Sequence, residues 1–333
     1  MNETKPALPL VSAAPHIRSP LTTAKIMRTV LIALAPAGLT GIYYFGPRAL
    51  LVIVLSAASC VFFEAAFQRL THREITVSDL SAAVTGLLLA YNLPADIPFW
   101  IPVVGAFFAI VVVKQLFGGL GQNFMNPALG ARAFLMAAYT SQMTTLWTAP
   151  VRSPISVDAV SSATVLSILK TPGTPFSPGG KDILNALVGN MPGCIGETCA
   201  IALILGGIYL LWKKIITWHV PVCYLLTVFV LSLFLGRNGL FSTVAVYELL
   251  TGGLMLGAIF MATDYSSSPM TPLGKILMGV GCGALTAVIR FWGGYPEGVC
   301  YAILIMNLFV PLLDRLSPRV FGHSRKRIKA ARQ

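Results

Sequence analysis

Apolar runs of about twenty residues recur along this 333-residue chain, and that recurrence limits its fold more than any other feature. The run from Ile26 to Phe45, "IMRTVLIALAPAGLTGIYYF", is typical. At 1.5 Å per residue such a run covers a hydrocarbon core of roughly 30 Å. Within lipid each backbone N–H and C=O must be satisfied inside the protein, so only helices and closed barrels cross. The runs are continuous and lack the alternation of barrel strands, so helices are expected. Only 11% of the residues are charged, against roughly 25% in a soluble domain. The expected fold is an all-α polytopic membrane protein whose first partner is the lipid bilayer.

Ten spans are expected, at about 26–45, 47–68, 79–93, 97–117, 126–147, 195–212, 216–235, 240–262, 275–292 and 296–313. They divide the chain into a segment 1–25, a first membrane half 26–148, a polar loop 149–193, a second half 194–314 and a basic tail 315–333. The first 20 residues carry Pro6, Pro9, Pro15 and Pro20 and no apolar core, so no cleavable signal peptide is read there. The net charge of +12 would suggest nucleic acid in a soluble protein. Here the cations cluster at span ends instead, and no nucleic-acid partner is expected. Eighteen of the 24 Lys and Arg fall on one side when both termini are placed in the cytoplasm. The polar loop then faces outward, and the tail "RVFGHSRKRIKAARQ" lies beside anionic headgroups.

Five spans precede the loop and five follow it, so the halves have opposite orientations. "TGLLLAYNLP" resembles "TGGLMLGAIFMATD" in the second half, and "FGGLGQN" resembles "FWGGYPEG". Inverted repeats with Gly/Pro-broken helices place sites near mid-membrane; glycine-rich runs also simply permit close helix packing. Both readings stand at this stage.

Four acids fall within or at the ends of spans: Glu64, Glu248, Asp264 and Asp314. A carboxylate costs roughly 2.5–3.5 kcal/mol at the bilayer centre, so each is a functional candidate. Glu64 can also pair with Arg69, and Asp314 with Arg315. Asp264, before a serine-rich loop, can cap a broken helix or offer oxygen to a cation. Glu64 and Asp264 are the expected residues of a cytoplasmic cation path. "NPALGAR" reads as a helix start, with Asn126 as N-cap and Pro127 at the first position. That terminus and Arg132 also suit an electron-rich group. Glu197 is expected as a first-turn acid matching the dipole of span six. Cys60, Cys223, Cys282 and Cys300 lie in apolar runs and read as core residues. No CxxC occurs, so no iron–sulfur ligand set is expected from this chain alone.

The polar loop contains "DAVSSATVLSILK", Asp158 to Lys170. Its hydroxyls before an apolar run suit an N-cap. The stretch also resembles the D-x-x-[ST]-G-A-T flavinylation signature of the Rnf and Na+-translocating NADH:quinone reductase families, with Asp158, Ser161, Ala163 and Thr164 matching and Ser162 where glycine is usual. "FGGLGQNFMNPALGARAF", "GNMPGCIGETCA" and "GAIFMATDYSSSPMTPLGK" resemble further segments of the same families, and the length resembles that of the RnfD-type membrane subunit.

The resemblance implies FMN joined to Thr164 as a phosphoester by a flavin transferase. It also implies a second, non-covalent flavin, riboflavin, near Asn126 and Arg132. It implies electron transfer between ferredoxin and NAD+ coupled to Na+ or H+ export, in a bacterial inner membrane. Partners would be other Rnf-type subunits, including an extracytoplasmic flavoprotein subunit and iron–sulfur subunits. The chain would be one component of that translocase and inactive alone. The alternatives are the corresponding membrane subunit of the quinone reductase and an inverted-repeat transporter with no redox role.

Overall fold

Helix is the regular structure found throughout the described residues. These are 21–144, 147, 150, 179–235, 244–295 and 297–316 of a computed structural model. The first half holds α1 (Thr23–Phe45), α2 (Pro47–Leu70), α3 (Ser81–Tyr91), α4 (Trp100–Phe107), α5 (Pro127–Ala138) and the short α6 (Thr140–Thr144). A π-helix over Phe108–Gln115 continues α4. Beyond the polar loop come α7 (Gly180–Val188), α8 (Ala200–Trp212), α9 (His219–Leu235), α10 (Val244–Leu250), α11 (Leu254–Leu256), α12 (Pro272–Trp292) and α13 (Val299–Arg315). A second π-helix, Gly257–Met261, continues α11.

Most helices start and end within a few residues of the expected runs, but the fifth run, 126–147, divides at Tyr139 and the eighth, 240–262, divides at Gly252 and Gly253. Their lengths differ from expectation. Helices α1, α2 and α12 are long and apolar enough to cross a membrane singly. Helix α10 and the segment Leu254–Met261 make a fourth crossing if taken together, bent by 60°. The other apolar helices have 10–17 residues. Helix α7 lies inside the stretch expected to be a plain polar loop.

Local chemistry explains the short helices. Pro94 follows the end of α3 and cannot donate an N–H. Pro127 opens α5 from the Asn126 cap, whose side chain accepts from Ala128 N at 3.0 Å and Leu129 N at 3.3 Å. Between α7 and α8 the segment 189–199 carries Pro192 and three glycines and leaves the helix. The two unwound stretches satisfy each other: Ile195 N donates to Leu93 O and Gly196 N to Tyr91 O, both at 3.1 Å. The bend between α10 and α11 sits at Gly253, with φ of +68°, which side-chain-bearing residues rarely adopt.

Close approach of small residues packs the bundle. A Cβ on Gly86 of α3 would lie 2.6 Å from Ala57 Cα of α2, and Ser56 Oγ donates to Gly86 O at 2.8 Å across that contact. The Tyr91 hydroxyl donates to Leu34 O of α1 at 2.9 Å. Tyr224 of α9 meets Thr286 of α12 at 2.7 Å. Outward faces are apolar, with Leu39, Phe62 and Leu226 exposed. Exposed tryptophans stand at or beside helix ends, Trp100 on α4, Trp212 on α8, Trp218 before α9 and Trp292 on α12. That distribution is the one a bilayer and its interfaces impose.

Candidate functional site

Among the described residues, three buried groups of charge lie inside this apolar body. The first ties the end of the α4 π-helix to α2 and α3. Lys114 Nζ donates to Glu64 Oε1 at 2.7 Å, to Glu64 Oε2 at 3.0 Å and to Ser81 Oγ at 2.6 Å. Gln115 Nε2 adds a bond to Glu64 Oε1 at 2.8 Å. Both ionic side chains are about 2% exposed or less. The expected pairing of Glu64 with Arg69 is therefore replaced by Lys114. Hydrogen bonds of i→i+5 type, such as Leu116 N to Val111 O at 3.0 Å, mark the wide turn beside Lys114.

The second group joins α9, α10 and α12. Ser232 Oγ donates to Glu248 Oε2 at 2.7 Å. Arg290 is held by backbone carbonyls: Nη1 to Glu248 O at 2.7 Å, Nη2 to Thr251 O at 3.1 Å and Nε to Glu297 O at 3.1 Å. The two groups are built alike. In each, a cation near the end of the fourth apolar segment of its half bonds the third, at Ser81 in one and at Glu248 O and Thr251 O in the other, beside a polar residue of the second, Glu64 or Ser232.

The third group lies between the halves and is centred on Arg132 of α5. Its Nη1 donates to Glu197 Oε1 at 2.8 Å and to Asn92 Oδ1, and its Nη2 bonds Glu297 Oε2. Arg132 and Glu197 are 5% and 4% exposed at the side chain, and Glu297 is 13% exposed. Two thiols complete the wall: Cys194 donates to Asn92 O and Cys300 to Leu129 O, both at 3.3 Å. Glu197 is thus no first-turn acid of α8. It precedes the helix and is drawn to Arg132, because a buried guanidinium without a carboxylate is far costlier than a helix-dipole contact is favourable.

The Cys194 sulfur and one oxygen each of Glu197 and Glu297 lie within 4.8 Å of one another. The Arg132 guanidinium already bonds both carboxylates, so a metal cation would sit against a positive charge. The group is an ion cluster.

Asn126 and Arg132, expected to share a ligand, part company. Arg132 is committed to the cluster. Asn126 caps α5, donates from Nδ2 to Met261 O at 3.2 Å, and lines a cleft of about 80 Å³ with Ser81, Lys114, Asn123 and Asp264. A cleft of about 460 Å³ adjoins it, sharing Met27, Asp264 and Tyr265. Asp264 accepts from Ser266 at 2.9 Å and Ser267 at 3.1 Å. Burial pushes its carboxyl above the ordinary aspartate value, against the pull of those hydroxyls. Asp314 does not pair with Arg315. It accepts from Met270 N at 2.8 Å and Thr271 N at 3.4 Å, the cap region of α12. Asp158, Ser161, Ala163 and Thr164 lie outside the described residues.

Sequence reading missed Asn92, Ser81, Lys114 and Glu297 as site residues. Asn92 and Glu297 do sit in the helix-breaking stretches "YNLP" and "YPEG", where exposed backbone needs polar partners.

Comparison with known proteins gives this architecture a family. The model described as "NQR2, RnfD, RnfE family" matches residues 10–322. The chain is 48% identical over 313 residues to the D subunit of the Na(+)-translocating ferredoxin:NAD(+) oxidoreductase complex of Acetobacterium woodii, covering 94% of this chain and 95% of that one. It is 44% identical over 322 residues to the proton-translocating counterpart of Clostridium ljungdahlii, covering 95% and 96%. It is 39% identical over 335 residues to the matching subunit of the ion-translocating oxidoreductase complex of Stutzerimonas stutzeri, covering 90% and 92%.

Proposed function

The chain belongs to the NQR2, RnfD, RnfE family, and from that premise we propose that it is the RnfD-type membrane subunit of an ion-translocating ferredoxin:NAD+ oxidoreductase complex. The full-length similarity to relatives of that kind carries the reading. The chain works with the other subunits, which supply the nucleotide and iron–sulfur sites that its own sequence lacks. Both termini are cytoplasmic. Lys114, Arg132 and Arg290 are buried and cannot report on flanking loops; without them the cation bias is sixteen to five, eighteen less two against six less one. The likeness of the Glu64–Lys114 and Glu248–Arg290 groups supports two inverted five-span halves.

Thr164 is the attachment residue for covalent FMN, within Asp158–Thr164, on the outer side. Its hydroxyl would attack the FMN-side phosphorus of the flavin dinucleotide, the pyrophosphate P–O bond would break, AMP would leave and the hydroxyl proton would pass to solvent; Ala163 and Ser162 are small enough for a transferase to close over the backbone. FMN bound there supplies electron transfer, and the chain supplies the fixed position. The experiment is in-gel flavin fluorescence of the denatured subunit from a transferase-competent host. A bright band that Thr164→Val darkens is expected; a dark wild-type band overturns the assignment.

The clefts beside Asn126 are the place for a non-covalent flavin such as riboflavin. The larger falls within the roughly 300–1,000 Å³ of small-molecule sites. Asn126 and Asn123 would offer amide groups from the adjoining smaller cleft; Arg132 would not. Asp264 lines both clefts and is the point of cation entry. Glu64 acts deeper, through Lys114, which lines the first cleft. Ion uptake by proteoliposomes of the assembled complex should fall in Asp264→Asn and Glu64→Gln, and unchanged uptake in both refutes the path.

A further inference from the structure

We propose that the cluster around Arg132 is a proton-binding site, holding one exchangeable proton on the carboxyl pair Glu197 and Glu297. The charges in this buried place do not balance. Arg132 is bonded by both carboxylates at once. A further cation, Arg290, has its N–H groups bonded to the carbonyls of Glu248, Thr251 and Glu297, in the neighbouring group that also holds the Glu248 carboxylate. Three carboxylates therefore share two guanidiniums. The thiols of Cys194 and Cys300 add no charge, since each donates its S–H to a carbonyl. The remaining neighbours are the hydroxyls of Tyr295 and Tyr301, whose rings lie 5.1 Å apart, and the amide of Asn92, all neutral.

With both carboxylates ionised the group would carry one uncompensated negative charge among residues that are almost fully buried. Burying such a charge costs several kcal/mol, and a buried acid escapes that cost by taking up a proton. A second observation points the same way. Arg132 Nε and Thr198 Oγ1 are buried with no hydrogen-bond partner among the described residues. Arg132 keeps a spare Nε donor, and Thr198, next to Glu197 in the chain, keeps a spare hydroxyl, so both can take up bonds as the proton moves from one carboxyl to the other. Glu297, the more exposed acid, sits in the stretch between α12 and α13 and is the side from which the proton arrives. The reaction is proton binding alone: one O–H bond forms on a carboxylate oxygen, and no electron moves.

The inference concerns the chain's own carboxyls and stands whether or not Thr164 carries a flavin. It is tested by infrared spectroscopy of the intact purified complex at pH 7 in H2O and D2O. The readout is the C=O stretch of protonated carboxyl groups. Wild type should show one deuterium-sensitive band that disappears in Glu197→Gln and equally in Glu297→Gln, because either change leaves a balanced one-to-one pair with Arg132. A band that survives either substitution overturns the proposal, and so does a band removed by adding Na+, which would make the ligand a sodium ion. Where a variant fails to assemble with its partner subunits, wild-type complex with carboxyl-13C glutamate serves instead: the band should shift with the label, and a complex with no label-sensitive band refutes the site.

Discussion

Replacing Lys114 with methionine tests how this protein tolerates charge in its interior. The substitution keeps most of the side-chain volume and removes three hydrogen bonds, two to Glu64 and one to Ser81. Glu64, about 1% exposed, would keep only the amide of Gln115. Breaking a buried pair by deleting one partner costs roughly 3–5 kcal/mol, a factor of about 150 to 5,000 in the folding equilibrium. Glu64→Gln should cost a similar amount by leaving the ammonium alone. The double variant removes both charges, and neutral replacement of buried pairs is often close to harmless. It should therefore be more stable than either single variant, with a coupling of about 2 kcal/mol or more. Equilibrium unfolding of the purified subunit in mixed micelles, followed by tryptophan fluorescence, measures all four corners of the cycle. Additive losses in the double variant, or single variants within about 1 kcal/mol of wild type, would refute the reasoning.

The same measurement reads three further substitutions. Asn126→Ala should lose about 1 kcal/mol or more through the α5 cap and the bond to Met261 O, and Asn126→Asp should not recover it, because its carboxylate keeps the cap but faces Met261 O where the amide donated. Gly86→Ala puts a methyl 2.6 Å from Ala57 Cα and should cost about 1–3 kcal/mol by prising α2 from α3. Ser232→Ala removes the hydroxyl at 2.7 Å from Glu248 and should cost about 1.5–3 kcal/mol, as befits a hydrogen bond to a charge. Maleimide labelling of the native protein should spare Cys60, Cys194, Cys282 and Cys300, all buried, until detergent unfolds it; rapid native labelling of Cys194 would contradict the sealed cluster.

The helix positions are legible in the sequence because each depends on its own run of apolar residues and its own breakers. Asn126–Pro127 announces the start of α5 for the same reason: capping is decided within four residues. The charge partners are not legible. Arg132 meets residues 40, 65 and 165 positions away, and no local period encodes such pairs. Proximity along the chain offers Arg69 to Glu64, yet the favoured cation comes from the π-helix that continues α4, whose end turns Lys114 inward onto the buried carboxylate. Proximity likewise offers Arg315 to Asp314, whereas the free N–H groups ahead of α12 lie closer in space. The shortening of α3 is legible in Pro94; its backbone partners, in a loop a hundred residues on, are not.

Those two backbone bonds, Ile195 to Leu93 and Gly196 to Tyr91, set how the two parts of the molecule can shift against one another. They clip the first half to the second next to Arg132, together with the Asn126–Met261 and Cys300–Leu129 bonds. A sliding or parting motion there would strip four polar groups of their mates in a medium that offers no replacements.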